Sequence, residues 1–374
     1  MLPYGRQTID DDDIAAVVDA LRAPLLTCGP LVARFEAALA AHVAAPFATV
    51  CSSGTSALHL AYAALGIGDG DEIITSPITF SATAAAAYYV GAKVRFADVD
   101  PTTGNLDPAS VEALITSRTR AIVPVHLAGM PVDLAELWAI AKRRGLRVIE
   151  DACHALGASY HGTPIGGGDS DAVVFSFHPV KHITTGEGGA VITRDADLKR
   201  RVDRLRQHGI VREAGAWAYE VVELGWNYRL SDLSCALGLA QLAKLDTFVA
   251  RRRELVARYR TELAGSSGVV LPVEPADRRS AYHLFAVAID FERLDTTRQR
   301  VIDELAAAGI GTQVHYIPLL HHPLHAARNP DQRTGPGAAH YFARTLSLPL
   351  FPAMSGDDVS RVATQLRRVL GVKP

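Results

Sequence analysis

The stretch Ser176-Phe-His-Pro-Val-Lys-His-Ile-Thr-Thr-Gly-Glu-Gly-Gly-Ala190 decides how the rest of this chain is read. It follows Asp171-Ala-Val-Val-Phe175, which has the composition of a buried strand ending in a polar turn. Lys181 therefore stands beyond a strand end, in a Gly-rich loop, among hydroxyl and small residues and away from any charge run. A lysine presented in this way suits Schiff-base chemistry. Its amine must shed a proton to attack a carbonyl, and burial or a neighbouring cation favours the neutral form. Taken alone, the stretch fits a solvated surface lysine better, because most lysines are exposed. The surrounding chain has to decide.

Outward from the loop, Arg147-Val-Ile-Glu150 reads as a strand ending on Asp151. Further strands are expected at Glu72–Thr75, Lys93–Ala97 and Ala121–Val125, with helices over Ser81–Val90 and Val132–Arg144 between them. This alternation predicts an α/β domain with a largely parallel sheet covered by helices on both faces. Ligands in such sheets sit at the carboxyl ends of the strands. Asp151 and Lys181 both fall there, and an acidic residue ending a buried strand needs a partner. So does the turn Ser52-Ser-Gly-Thr-Ser56, between a short strand and an Ala/Leu-rich helix. A helix start with free N–H groups and hydroxyls can bind phosphate. It can equally be a plain N-cap, and both readings stand.

Toward the termini, helices are expected over Asp11–Leu21, Leu31–Val43 and Leu198–His208. Ser231 should cap one long helix from Leu233 to about Leu263, whose run Arg251-Arg-Arg253 reads as a solvated face. Such a helix would bridge two lobes, a large domain over 1–245 and a smaller α+β domain over 246–374. The segment His321–Gly337 reads as a surface loop with solvent-facing His321, His322 and His325, and no metal site is expected.

Composition narrows the function classes. The chain has 374 residues, 48% hydrophobic, with a formal net charge of −2, so neither nucleic acid nor an anionic membrane is expected as a partner. Cys28, Cys51, Cys153 and Cys235 are scattered without metal-ligand spacing, as in a cytoplasmic protein with reduced thiols. The first residues run straight into Asp10-Asp-Asp-Asp13, so no signal peptide is expected.

Several stretches, taken together, are similar to one family: Ser53-Gly-Thr-Ser-Ala-Leu58, Phe80, Glu150-Asp-Ala152, Ser176-Phe-His-Pro-Val-Lys181, Gly186-Glu-Gly-Gly189 and Gly225-Trp-Asn-Tyr-Arg229. They resemble the sugar aminotransferases of the DegT/DnrJ/EryC1/StrS family over nearly the whole chain. The resemblance implies a pyridoxal 5'-phosphate enzyme of fold type I, aspartate-aminotransferase-like. It implies that Lys181 carries the cofactor as a Schiff base and that Asp151 faces the ring nitrogen. Gly54, Thr55 and Ser176 would hold the phosphate, Phe80 would stack on the ring, and His154 would approach its phenolic oxygen. Asn227 would reach the phosphate of a neighbouring subunit's cofactor, giving a homodimer with shared sites. Arg229, His315 and Tyr316 would line the substrate pocket.

Within the family, the resemblance is closest to transaminases that make UDP-4-amino-4,6-dideoxy-N-acetyl-β-L-altrosamine in pseudaminic acid biosynthesis, with L-glutamate as donor. Cys28, His182 and the segment His321–Gly337 depart from that pattern. Relatives with histidine in place of the lysine are dehydratases, and Lys181 argues against that reading. A non-catalytic regulator on the same fold would have no need of Lys181, Asp151 and Ser176 together.

Overall fold

The computed structural model describes residues 1–212, 215 and 217–372. Its centre is a seven-stranded sheet. In chain order the strands are β1 (Phe47–Cys51), β2 (Glu72–Thr75), β3 (Lys93–Phe96), β4 (Thr119–Val123), β5 (Arg147–Asp151), β6 (Ala172–Ser176) and β7 (Gly189–Thr193). They lie in the order β1-β7-β6-β5-β4-β2-β3. Only β7 runs against the others, pairing antiparallel with both β6 and β1. That single reversal matters for the site. Antiparallel neighbours need no crossover helix, so residues 177–188 form a free loop at the carboxyl end of β6. This loop carries Lys181. The inner strands are buried on both faces, as apolar runs such as Ala-Val-Val-Phe175 require, while the edge strand β3 buries one face only.

Helix α1 (Gly54–Ala64) follows β1 directly. Ser53 caps it through a reciprocal box: the Ser56 N–H donates to Ser53 Oγ at 3.1 Å, and the Ser53 N–H to Ser56 Oγ at 2.9 Å. Helix α2 (Ala82–Tyr89) packs beside it. Two glycines let these pieces meet. A Cβ on Gly54 would lie 2.9 Å from the Ser176 Cβ, and one on Gly189 would collide with the Ser53 carbonyl.

The C-terminal part has its own core, which includes Tyr259, Phe285, Leu346 and Leu366. It is built on strands β8 (Phe285–Ile289) and β9 (Thr345–Leu348), a short strand Val269–Val270 and the helix Gly356–Leu370. No single helix among the described residues is long and apolar enough to cross a membrane.

Three expectations are corrected. The long helix is two, α3 (Asp232–Leu242) and α4 (Leu245–Glu262), bent by 55°. The break falls where the Lys244 N–H turns back to the Gln241 carbonyl at 3.0 Å, and the Lys244 ammonium is held by Asp13 at 3.0 Å. The arginine run on α4 is not a solvated face. Arg252 is 1% exposed and donates to the carbonyls of Tyr282, His283 and Leu350 at 3.3, 3.2 and 2.9 Å. Its neighbour Arg253 pairs with Glu274 at 2.7 Å. Finally, much of His321–Gly337 is helical: Pro323–Arg328 (α5) is a helix, and another begins at Pro336. Both place proline in the first turn, where its missing N–H costs nothing.

Candidate active site

At the carboxyl ends of β1, β5 and β6 lies a cavity of about 670 Å³. Its sheet-side wall comprises Gly54, Thr55, Asp151, Ser176 and Lys181, so the sequence-predicted residues at the strand ends do meet in one place. The Gly54 and Thr55 N–H groups fall in the first turn of α1, where a helix offers them no carbonyl. With the Thr55 and Ser176 hydroxyls beside them, they form an anion cradle at the positive end of the helix. Asp151 is buried. Its Oδ2 accepts the Thr83 hydroxyl at 2.7 Å and its Oδ1 the Cys153 N–H at 3.2 Å. Burial favours the neutral amine of Lys181, while the nearby Cys153 and Asp151 act in the opposite direction.

The facing wall comes from Gln313–Ile317, Leu319 and His322. His315 is buried, with Nδ1 2.9 Å from Ser347 Oγ, and burial brings its pKa down to about 4. The Tyr316 hydroxyl lies 3.2 Å from His154 Nε2, and the two rings are nearly parallel. His154, His182 and His283 are buried, and burial first and neighbouring cationic groups second hold all three well below the usual histidine range. The Nδ1 atoms of His154 and His283 have no hydrogen-bond partner among the described residues. His182, one of the sequence departures, is turned away to the Ala281 carbonyl at 3.1 Å. Phe80 is 61% exposed at the mouth, its ring 6.3 Å from that of Tyr316.

Two sequence-predicted residues do not reach this cavity. Asn227 is exposed and Arg229 half-buried, and neither lines it. Their segment is pinned just behind the cradle, where the Ser52 N–H donates to the Tyr228 carbonyl at 2.9 Å. The expected solvent exposure of His325 is also corrected. It is 2% exposed and sits between Ser81 Oγ at 3.0 Å and the Tyr88 hydroxyl at 3.2 Å, tying α5 to α2.

Sequence reading passed over Tyr4, Thr79, Thr83 and His283. The threonines left no pattern, because Thr79 precedes α2 and meets Thr83 only through the turn that leads into it. Tyr4 and His283 arrive from distant segments and left none either.

The site fits pyridoxal phosphate. The cradle exists only because position 54 lacks a Cβ, a carboxylate and an amine stand beyond it, and His154 leaves a buried nitrogen without a partner among the described residues.

Comparison with known proteins agrees. The profile of the DegT/DnrJ/EryC1/StrS aminotransferase family matches residues 7–367. The spore coat polysaccharide biosynthesis protein SpsC of Bacillus subtilis is 41% identical, over 99% of this chain and 97% of that protein. Among solved structures, Helicobacter pylori PseC, an aminotransferase involved in the biosynthesis of pseudoaminic acid, superposes with a TM-score of 0.94. It is 31% identical, and the match covers 99% of both chains. The PLP form of the putative sugar aminotransferase Spr1654 from Streptococcus pneumoniae gives 0.92 at 30% identity, over 99% of this chain and 98% of that one. The chain thus belongs to the DegT/DnrJ/EryC1/StrS family, and it is an aminotransferase whose cofactor is pyridoxal 5'-phosphate.

Proposed function

We propose that this enzyme moves the amino group of L-glutamate to C4 of a nucleotide-linked 4-keto-6-deoxy sugar. The substrate we favour is UDP-4-keto-6-deoxy-L-AltNAc, giving UDP-4-amino-4,6-dideoxy-L-AltNAc, a step of pseudaminic acid biosynthesis. The observation that carries this reading is Lys181 in a cavity wide enough for a sugar, between a phosphate cradle and a wall of histidine and tyrosine. The likeness to PseC along the whole chain supports the choice of sugar.

Bound in the cradle, the cofactor supplies an electron sink for proton transfer at the carbon bearing the amine. The chain's own residues do the rest. Gly54, Thr55 and Ser176 fix the phosphate, and Asp151 opposes the ring nitrogen and keeps it charged. His154 addresses the phenolic oxygen, and Phe80 covers the ring face. Lys181, partly shielded from water, holds and moves the proton. His315 and Tyr316 border the space left for the sugar.

The exposed Asn227, which does not line its own chain's cavity, supports a homodimer in which each chain completes its neighbour's site. We place the large domain at 1–245 and the small one at 246–374, and the enzyme in the cytoplasm. The test of function is direct. Purified protein is incubated with L-glutamate and a panel of UDP- and dTDP-4-keto-6-deoxy sugars, and product mass is read. An aminated UDP-linked product supports the proposal. Amination of only the dTDP sugars moves the substrate, and a deoxygenated product removes the reaction. For the shared site, inactive Lys181→Ala and Asn227→Ala chains are mixed. Recovered activity is expected, since one site of the heterodimer keeps both residues.

A further inference from the structure

Behind Asp151 lies a pair of hydroxyls that the reaction as described does not use. Thr83 sits in the first turn of α2, is fully buried and does not line the cavity. Its Oγ1 lies 2.7 Å from Asp151 Oδ2, 2.8 Å from Thr79 Oγ1 and 3.3 Å from the Phe80 carbonyl. A hydroxyl has one proton to give, and an ionised carboxylate can only accept. The short contact to Asp151 therefore takes the Thr83 proton. Thr79, which is also buried, must then donate into Thr83. The direction of the chain is fixed: Thr79 to Thr83 to Asp151.

We propose that Thr83 is a positioning residue whose hydroxyl, itself polarised by Thr79, holds the Asp151 carboxylate aimed at the cofactor's ring nitrogen. The inference rests on the reading of Asp151 as the partner of that nitrogen. Successive hydrogen bonds away from water reinforce one another, and a bond to a charged acceptor is about twice as strong as a neutral one. The Cys153 N–H restrains Oδ1 and Thr83 restrains Oδ2, so the carboxylate plane cannot rotate. The Tyr62 hydroxyl donates to the Thr83 carbonyl at 3.0 Å and fixes the backbone below. Phe80 lies between the two threonines in sequence. One turn thus carries both the ring-facing aromatic and the hydroxyl pair that orients the counter-charge.

The experiment compares Thr83→Ala, Thr83→Ser and Asp151→Asn as holoenzymes. Alanine and serine differ only by the hydroxyl. Three quantities are read: the absorption spectrum of the lysine-bound cofactor across pH, the Kd for pyridoxal phosphate, and the single-turnover rate with L-glutamate. Thermal melting reports folding separately. Thr83→Ala should move the spectrum in the same direction as Asp151→Asn, and should weaken cofactor binding and slow the half-reaction by roughly tenfold or more. Thr83→Ser should stay close to the parent.

A parental spectrum and rate in Thr83→Ala, alongside an altered Asp151→Asn, would overturn the role of Thr83 alone. Equal damage in the serine and alanine variants would assign the effect to the lost methyl group and likewise overturn it. An unchanged Asp151→Asn spectrum would remove the reading of Asp151, and the inference with it. Should Thr83→Ala fail to fold, Thr79→Ala removes the upstream donor and leaves Thr83 in place. It should shift the spectrum the same way by less, and no shift would count against the relay.

Discussion

The two walls of the cavity are built by different means. Gly54, Asp151, Ser176 and Lys181 stand at or just beyond the ends of β1, β5 and β6, and are placed by sheet ladders and a helix cap. The facing wall reaches the cavity from outside that sheet. A few backbone bonds hold it, Gln313 with Ser347 and the Leu319 N–H to the Pro77 carbonyl, and side chains add the rest: Tyr316 to His154, His315 to Ser347, and His325 to Ser81 and Tyr88. A backbone scaffold tolerates little change, whereas side-chain ties can be exchanged one at a time. The sheet-side wall therefore suits the cofactor chemistry common to both half-reactions, and the facing wall suits the choice of sugar. Damage to the first should slow both half-reactions together. Damage to the second should fall on the sugar.

The largest effect is expected at Lys181. Lys181→Ala should lower turnover by at least ~10³-fold with either substrate, and borohydride should no longer fix the cofactor to the chain. A variant that lost only the sugar half-reaction would break the assignment of the sheet-side wall to shared chemistry.

Acid comes next, and it acts where the walls meet. His154, His182, His283 and His315 all have folded pKa values below the ordinary 6.5. Between that value and the folded one, the unfolded chain binds more protons, so stability falls as pH falls below about 6.5. His315, held at about 4, accounts by itself for roughly 3 kcal/mol across that window. Urea unfolding of the apoenzyme at pH 7, 6 and 5 should show the decline, and His315→Gln should make it shallower. A flat profile in the parent would show that these histidines are solvated.

His325→Leu tests the tie between α5 and α2. It removes a hydrogen-bond partner from the half-buried Ser81 and Tyr88 hydroxyls, at a cost of about 1 kcal/mol of stability. KM for the nucleotide sugar should rise with the rate of the glutamate half-reaction unchanged. Equal effects on both would mean that the facing wall is not specific to the sugar.

The sheet-side wall was readable in the sequence because it obeys local rules. Strand runs, a capping turn and a lysine beyond a strand end are all patterns of neighbours in the chain, and Asp151 closes its strand as expected. The reversal of β7 was not readable, since a buried strand looks alike in either direction. Arg252 misled because charge usually means solvent. Here three carbonyls from distant segments receive the guanidinium, and no local pattern records them. His325 misled in the same way, its partners lying far away on α2. What escaped the sequence is what tertiary contact alone creates. The facing wall is made almost wholly of that.

The smallest effect expected, and the finest test of the comparison, is at Tyr316. Beside the backbone bond from the Leu319 N–H to the Pro77 carbonyl at 2.9 Å, its hydroxyl adds a side-chain tie across the cavity, reaching His154 Nε2 at 3.2 Å. Tyr316→Phe keeps the ring, its packing against the His154 ring and the shape of the cavity, and deletes that bond. A net hydrogen bond is worth about 1 kcal/mol, so a change of roughly fivefold is expected. The question is where it falls. His154 has one nitrogen toward Tyr316 and another with no partner among the described residues. If the tie only holds the wall in place, the change appears in KM for the sugar, and the cofactor spectrum stays as in the parent. If the bond sets the histidine tautomer, the spectrum shifts and the glutamate half-reaction slows too, because the ring nitrogen facing the phenolic oxygen has changed its proton. The comparison of the walls predicts the first result. The second would make Tyr316 and His154 a single unit and move the boundary between cofactor chemistry and sugar recognition onto the facing wall.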